Sequence, residues 1–336
     1  DVAACCSTGP DDESGHGTHV AGTVLGSGIL SGSNPSLHQY GNSYAGVAPE
    51  SLLIFQAIGV DTGGSSISIP PLESVLFQPA YNQGSRIHSN SWGGTYEPSF
   101  GEYNSNTKII DKFIWNHKDM SILYAAGNYG SAYGNDTINP YGAGKNSITV
   151  GATENYKTIA DPPEIADDPN DLALFSSQGP TDDGRIKPDV LAPGTEIFSP
   201  RSRVAFDPPD GRCIKNWSNS GSYSLGPNYA TCGGTSMSTP HVAGLVALTR
   251  EYYLNEHHLE APTELIKATL INSAMDIGYG MPSMISGWGR VNLSKAFPSA
   301  EADIFFVDVS PGLVTGAEKN FNIQVAAGTP FKATLV

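Results

Sequence analysis

The sequence predicts an α/β protein in which a mostly parallel sheet carries helices on both faces. Short apolar runs of strand character alternate along the chain with longer segments of helical character. Strands separated by helices pair in parallel, and helices then cover both faces of their sheet. The chain has 336 residues, 39% of them hydrophobic, which is enough to bury a large core. With 38 glycines and only 15% charged residues, the composition is typical of a loop-rich α/β enzyme.

The predicted elements follow one another in a regular order. Strands are expected at 52–57, 86–91, 122–126 and 148–152, and helices at 72–82, 109–117, 239–254 and 262–274. Stretches rich in Gly, Pro, Ser or Asp at 61–70, 161–171 and 200–230 are expected to be loops. The acidic loop from Asp161 to Asp171 raises the question of calcium, but it lacks a spaced ligand pattern, which favours a solvated loop.

The character of the chain changes after residues 287–291. Residues 304–309 and 321–325 are β-rich and alternating, without helical periodicity. Two or three strands do not form a stable sheet domain alone. We therefore expect a domain at 1–300, and at 301–336 the first strands of an all-β domain whose remainder lies outside this sequence.

Charge and hydropathy exclude several classes of partner. The formal net charge of -15 argues against binding to nucleic acid or to an anionic membrane surface. An acidic, well-solvated surface is its simplest meaning. No run of eighteen apolar residues occurs, so no membrane span is expected.

The segment from Gly233 to Gly244, GGTSMSTPHVAG, is the most informative in the chain. Pro240 has no N–H and its ring collides with the carbonyl four residues back, so the helix is expected to begin near Ser236, with Pro240 inside its first turn. Ser236 then lies among free backbone N–H groups, at the positive end of the helix dipole. The segment fits a serine nucleophile, and it also fits a plain Ser/Thr-rich helix cap.

The segment Gly15 to Thr23, GHGTHVAGT, is a second polar start of a small-residue helix. His16 and His19 lie three residues apart, which raises a metal site as one alternative. Zinc protease helices instead use His-Glu-x-x-His with the glutamate as base, and no glutamate lies between these histidines. A histidine that serves as base for a serine nucleophile is the favoured interpretation.

A third element is the apolar run from Ser121 to Ala126, which ends at Gly127 and Asn128. Small residues at a strand end leave room for a ligand against the backbone. An amide side chain at that place can donate a hydrogen bond to an oxyanion. Gly-Asn after a strand is also a common turn sequence, and this alternative stays open on the residues alone.

Taken together, the three segments resemble the subtilisin-like serine proteases, the subtilases, over roughly residues 11 to 300. The resemblance implies a subtilisin-like fold and a serine endopeptidase that forms an acyl-enzyme. It assigns His16 as general base, Ser236 as nucleophile and Asn128 as the oxyanion-hole amide. It also implies a primary specificity pocket between two walls, which are Ser91, Trp92 and Gly93 on one side and Ala125, Ala126 and Gly127 on the other.

Residues 86–93 and 175–190 narrow the resemblance to alkaline extracellular subtilases that carry a C-terminal β-sandwich domain. This branch implies a secreted, monomeric enzyme that acts on protein or peptide substrates and needs no cofactor for catalysis. It allows structural calcium without fixing the ligands. With the oxidising compartment that the resemblance implies, the spacing of Cys213 and Cys232 suggests a disulfide between them, and separate or free thiols are the alternative.

One departure from the family pattern concerns the aspartate of the catalytic triad. The family order is Asp, His, Ser, with the aspartate at the end of an early strand, and none of the fifteen residues before His16 shows that context. We expect that the chain is cut at its start and that the triad aspartate lies outside it. Expressed alone, it is then expected to be inactive or weakly active.

Two other classes of function are alternatives to the protease. A lipase or esterase places its serine in Gly-x-Ser-x-Gly with the histidine last, whereas here the histidine comes first. A catalytically inactive binding protein with the same fold is the second alternative. It is supported by the missing aspartate and opposed by the presence of His16, Asn128 and Ser236.

Overall fold

The computed structural model describes residues 3–4, 12–59, 67–94, 99–157, 165–205, 213, 225–299 and 303–336 except 308, 310, 311, 326 and 329. The elements, in chain order, are β1 (Ala3–Ala4), α1 (His16–Leu25), β2 (Gln56–Ala57), a π-helical turn (Leu72–Phe77) continuing into α2 (Gln78–Asn82), β3 (Ile87–Asn90), α3 (Ser105–Asn116), β4 (Ser121–Ala125), α4 (Gly130–Tyr133), β5 (Ile148–Thr153), β6 (Val190–Pro193), β7 (Ile197–Pro200), β8 (Tyr229–Cys232), α5 (Thr235–His257) and α6 (Thr263–Ser273). Short 3-10 turns lie at Ile29–Ser31, Pro35–Leu37, Pro140–Ala143 and Leu293–Lys295.

A parallel four-stranded sheet in the order β3-β4-β5-β6 forms the centre of the protein. Asn90 is paired with Tyr124, and Val150 with Val190. All of β4 and β5 is buried, because both faces of the sheet are covered. This arrangement confirms the predicted α/β fold with a mostly parallel sheet.

Alternation along β4 sends neighbouring side chains to opposite faces of the sheet. Leu123 packs with α5 and α6, in a cluster that also includes Val246 and Leu270. Ile122 and Tyr124 pack on the other face with the π-helical turn and α3. Helices therefore cover both faces, as predicted.

The helix predicted at 72–82 is present, but its first half is wound as a π-helix, in which the N–H of Gln78 bonds to the carbonyl of Glu73. Pro79 explains the change. It cannot donate to the carbonyl of Val75, and its ring would collide with that carbonyl in a regular α-helix. Helix α3 begins at Ser105, four residues before the predicted start, because the side chain of Asn104 caps it.

The strand predicted at 52–57 is shorter than expected. Only Gln56 and Ala57 form a ladder, in parallel with β1. Leu52 is 99% exposed and Leu53 47% exposed. A segment with strand-forming residues becomes a β-strand only where a neighbouring strand provides hydrogen bonds. Among the residues described here, such a neighbour is present only for the last two residues of the run.

Two strands that the sequence analysis did not predict form an antiparallel pair, β7 with β8, in which Ile197 faces Cys232. A disulfide joins Cys232 to Cys213, as the sequence analysis expected. Cys5 and Cys6 lie outside the described residues. Strand β8 lies directly before α5 in the chain, and β7 contacts α1.

The C-terminal segment lies against the main domain. The ammonium group of Lys332 donates to the carbonyl oxygens of Ile271 (3.0 Å) and Asn272 (2.6 Å), at the end of α6 where carbonyls lack helical partners. Phe306 packs edge-on against Tyr253. The strands predicted at 304–309 and 321–325 form no ladder among the described residues of this segment. A β-sandwich domain therefore stays a prediction.

Across the described part of the chain, no helix has the length and apolar character needed to cross a membrane.

Candidate active site

Ser236 is the second residue of α5 and is half-buried. The chain reaches it from β8 through Gly233 and Gly234, and Gly234 has φ 143°, a conformation that favours glycine. The hydroxyl of Ser236 donates a hydrogen bond to the carbonyl oxygen of Ser91, at 3.1 Å. The helix begins at Thr235, one residue before Ser236 and four before the start predicted at 239. Pro240 is therefore its sixth residue and lies just beyond the first turn, not inside it as predicted.

Because Pro240 has no N–H, the carbonyl of Ser236 is free to bind a residue outside the helix. In a regular helix the carbonyl of Ser236 would accept from the N–H of residue 240, which proline lacks. The hydroxyl of Ser91 donates to this carbonyl instead, at 2.7 Å. Ser91 and Ser236 therefore exchange two hydrogen bonds, which hold residue 91 beside the start of α5.

His16 is the first residue of α1 and is half-buried. The carboxylate of Asp12 caps this helix: it accepts hydrogen bonds from the N–H of Gly15 at 3.0 Å and of Thr18 at 2.6 Å. Its charge is well placed at the positive end of the helix dipole. Asp12 thus has a capping role in the structure, and we assign no aspartate of this chain to the orientation of His16.

His19 lies one turn further along α1 and is fully buried. Its Nε2 lies 3.0 Å from the carbonyl oxygen of Ile197 and 3.3 Å from that of Ala230, so this nitrogen carries the proton. Burial, together with a smaller contribution from the nearby His16, lowers the pKa of His19 from 6.5 to about 3. The ring is therefore neutral and joins α1 to β7 and β8.

Nε2 of His19 is engaged by two carbonyl groups, so this nitrogen cannot also bind a metal ion. The described residues contain no group of three or more His, Cys, Asp or Glu side chains that could hold a metal ion. Most of the acidic loop at 161–171 that raised the question of calcium is described, but residues 161–164 lie outside the described part.

Asn128 follows β4 and is exposed, and its side-chain orientation is determined by Thr235. Its Oδ1 accepts from the N–H of Thr235 at 2.8 Å and from the hydroxyl of Thr235 at 3.0 Å. The same hydroxyl accepts from the N–H of Gly127, at 3.2 Å. Since Oδ1 must face these two donors, the Nδ2 hydrogens are left to bind an acceptor from outside. Asn128 is thus bound to Thr235, the residue that precedes Ser236.

The two predicted pocket walls continue from neighbouring strands. The ladder between β3 and β4 ends at Asn90 and Tyr124, and residues 91–93 and 125–127 follow it. Gly127 has φ 116°, and a Cβ there would lie 2.7 Å from Oγ of Ser177. Ala125 and Ala126 are buried, as is Ser91, whereas Trp92 and Gly93 are half-buried.

Trp92 lies partly in the core. Its ring packs edge-on against Tyr124, with centroids 5.3 Å apart, and against Tyr141 at 5.1 Å. This packing fixes the indole and leaves part of it exposed. Two residues that organise the site, Thr235 and Asn139, were not predicted from the sequence. Thr235 lies inside the recognised Gly-Thr-Ser motif, whereas Asn139 carried no signal beyond a turn-like Asn-Pro pair.

A serine at the start of a buried helix, an adjacent amide donor and a histidine on a second helix are features of the serine hydrolases. Residues 7–289 match the subtilase family, and the chain therefore belongs to this family of serine proteases.

Relatives and solved structures agree with this assignment. The chain is 32% identical to serine protease AprX of Bacillus subtilis over 296 residues, which cover 87% of this chain and 59% of that protein. It is 26% identical to serine protease/ABC transporter B family protein tagD of Dictyostelium discoideum, over 84% of this chain and 20% of that protein. The chain thus spans about a fifth of the length of this Dictyostelium relative.

Two solved structures share the fold. A mutant of the protease domain of PatA has a TM-score of 0.60 at 21% identity, covering 88% of this chain and 85% of that one. Fervidolysin from Fervidobacterium pennivorans, described as a keratinolytic enzyme related to subtilisin, has a TM-score of 0.56 at 22% identity, covering 88% of this chain and 42% of that one. At this level of identity they establish the subtilisin-like fold alone.

Proposed function

We propose that this chain carries the catalytic residues of a secreted serine endopeptidase, with Ser236 as nucleophile, His16 as general base and Asn128 in the oxyanion hole. The observation that supports this most directly is the pair of hydrogen bonds from Thr235 to Oδ1 of Asn128. They hold an amide donor beside the residue that precedes Ser236. Such a donor aimed from a fixed position is what acyl transfer requires.

Acylation begins with the hydroxyl of Ser236. In the resting structure this hydroxyl donates to the carbonyl of Ser91, so it must turn away from that carbonyl to attack a peptide bond. His16 takes the proton as Oγ bonds to the scissile carbonyl carbon, and then returns it to the leaving amine. In deacylation His16 takes a proton from water as the water oxygen bonds to the ester carbonyl carbon, and then returns the proton to Oγ of Ser236 as the C–Oγ bond breaks and the acid leaves.

The negative charge of the tetrahedral intermediate falls on the former carbonyl oxygen. The Nδ2 of Asn128 and the backbone N–H of Ser236 would donate to it, at the positive end of the α5 dipole. The N–H of Thr235 is already used by Asn128, so it orients the donor rather than binding the oxyanion.

The substrate would be a protein or peptide segment in extended form. It would pair beside residues 91–93 as an added strand, with one side chain between the two walls. No acidic side chain is placed in that pocket by the sequence, which favours cleavage after apolar residues over cleavage after basic ones. The enzyme would act as a monomer and without a catalytic cofactor.

The test is hydrolysis of casein and of fluorogenic peptides by the complete natural protein that contains this chain, called the native protein below, and by its Ser236→Ala variant. The variant should lose all turnover that a serine-directed phosphonate inhibits. Ser238→Ala is a matched control on the same helix, since the buried hydroxyl of Ser238 has no hydrogen-bond partner in the described structure. Full activity of Ser236→Ala would refute the proposal by placing the nucleophile on another residue, and no activity of the native protein would refute it in favour of a non-catalytic binding role.

A further inference from the structure

Asn139 lies between the two proposed pocket walls and binds both of them. Its Nδ2 donates to the carbonyl oxygen of Trp92 at 3.2 Å and to that of Ala125, also at 3.2 Å. Trp92 belongs to one wall and Ala125 to the other. Asn139 is 2% exposed, so its amide acts in a protected environment where hydrogen bonds are strong and hard to replace.

The position of Asn139 follows from the end of the β3–β4 ladder. Beyond Asn90 and Tyr124 the two strands no longer pair with each other. Beyond the end of that ladder, the side chain of Asn139 supplies a donor to one carbonyl on each of the two segments. Its own N–H donates to the carbonyl of Ala126 at 2.7 Å, which ties it to the second wall a further time.

The amide also fits closely against the first wall. A Cβ on Gly93 would lie 1.9 Å from Nδ2 of Asn139, so the backbone of Gly93 rests directly on the amide. The Oδ1 accepts from the N–H of Tyr141 at 3.1 Å, and from that of Gly94 at 3.4 Å. Every hydrogen-bonding group of this side chain is therefore used, and its orientation is fixed.

We infer that Asn139 is a positioning residue that sets the width of the primary specificity pocket and so selects the substrate side chain it accepts. The inference rests on the proposed function, in which residues 91–93 and 125–127 line that pocket. With both donors in place, the walls are held at one separation. Without them, two carbonyl groups are left without donors, and the walls are free to move apart.

A purely local role is the competing explanation, because Oδ1 of Asn139 also caps the 3-10 turn Pro140–Ala143. Asn139→Asp separates the two roles. Aspartate has the same shape and keeps the oxygen that accepts from Tyr141 and Gly94, but as a carboxylate it cannot donate to Trp92 or Ala125. It therefore keeps the cap and reverses the interaction with the walls from attraction to repulsion.

The experiment compares kcat/KM for two peptides that differ only in Phe or Ala at the residue before the scissile bond. In the native protein carrying Asn139→Asp, the Phe-to-Ala ratio should rise about 10-fold, because a wider pocket tolerates the large side chain and holds the small one poorly. Asn139→Ser, which removes one donor without adding a carboxylate, should shift the ratio in the same direction. If Asn139→Asp does not fold, Asn139→Ser still tests the inference.

Asn104→Asp is the matched control. Asn104 caps α3 by accepting from the N–H groups of Asn106 and Thr107, so the same substitution there keeps a cap that bonds to neither wall and should leave the ratio unchanged. Phosphonate titration counts the active molecules in each preparation. A ratio within twofold of the native value in both Asn139 variants, or a uniform loss of activity towards both peptides, would overturn the inference. Absence of phosphonate labelling in the unmutated protein would instead refute the proposed function, and the inference with it.

Discussion

Replacing Asn128 by Ala and by Asp tests the oxyanion hole. Asn128→Ala should be the less stable of the two variants, whereas Asn128→Asp should be the slower catalyst. Asn128→Ala removes the Nδ2 donor. Removal of one such donor from an oxyanion hole costs about 2.7–4 kcal/mol of transition-state stabilisation, which corresponds to a fall in kcat of about 10²–10³-fold. KM should change little, since the donor acts mainly on charge that develops during the reaction.

The same change has a separate effect on folding. Thr235 is 1% exposed, and Asn128→Ala removes the acceptor of both its N–H and its hydroxyl. An unpaired buried donor costs about 1–3 kcal/mol. Asn128 itself is exposed, so water can reach part of the vacated site, and we expect a loss near the lower end of that range.

Asn128→Asp keeps an oxygen for Thr235 and places a negative charge at the helix N-terminus, where the dipole stabilises it. Its free energy of unfolding should match that of the native protein. Its kcat should nevertheless fall below that of Asn128→Ala, because a carboxylate repels the developing oxyanion. Asn128→Asp should therefore be about as stable as the native protein, and Asn128→Ala less stable. In contrast, kcat should be highest in the native protein, lower in Asn128→Ala and lowest in Asn128→Asp.

The measurements are steady-state kinetics with an ester and a peptide substrate, alongside urea unfolding of each variant. If kcat followed stability in the same order, Asn128 would be a structural residue. A rise in KM with unchanged kcat would make it a substrate-binding residue instead.

Two further predictions concern stability. Asp189 is buried between the ammonium groups of Lys187 (2.6 Å) and Lys267 (2.9 Å), so Asp189→Asn should lower the free energy of unfolding by about 3–5 kcal/mol in urea, and a loss below about 1 kcal/mol would contradict this account. His19 has its pKa lowered from 6.5 to about 3 by burial, so the unfolded chain binds the extra proton and stability falls as pH decreases from 6.5 towards 3. His19→Gln keeps an Nε2 donor for Ile197 but does not titrate. Between pH 3 and 6.5, the slope of its free energy of unfolding against pH should be smaller than that of the native protein by about 1.4 kcal/mol per pH unit. Equal slopes for the two proteins would show that His19 does not control this dependence.

Much of the architecture could be predicted because it is encoded locally. The run from Ser121 to Ala126 is apolar and short, and it forms β4 almost within the predicted bounds. The position of Pro240 correctly placed the start of α5 within one residue of Ser236. The family and the Cys213–Cys232 disulfide are confirmed as well. The assigned roles of His16, Ser236 and Asn128 remain predictions.

The features that were missed depend on contacts between distant parts of the chain. The first two residues of β8 fall within the loop predicted at 200–230, and β7 was not predicted; the two strands pair across a long polar stretch of sequence. The run at 52–57 has strong strand character, yet only its end is paired among the described residues. Local patterns indicate that a segment suits a strand, but not whether a neighbour is present.

Asn139 shows the same limit within the candidate site. Its sequence context, Asn-Pro, correctly indicates a turn, and the side chain does cap the 3-10 turn that follows. Its donors, however, reach carbonyl groups 47 and 14 residues away in the sequence. The pocket role is therefore visible only once the strands that carry Trp92 and Ala125 are placed side by side.

The most direct test of the central claim is to locate the residue that a serine-directed phosphonate modifies. The native protein is treated with a fluorophosphonate probe, digested, and analysed by mass spectrometry, with Ser236→Ala and Ser238→Ala treated in parallel. This account predicts a single stoichiometric adduct on Ser236 that is retained in Ser238→Ala and lost in Ser236→Ala. An adduct on another residue, or labelling that persists in Ser236→Ala, would show that Ser236 is not the nucleophile.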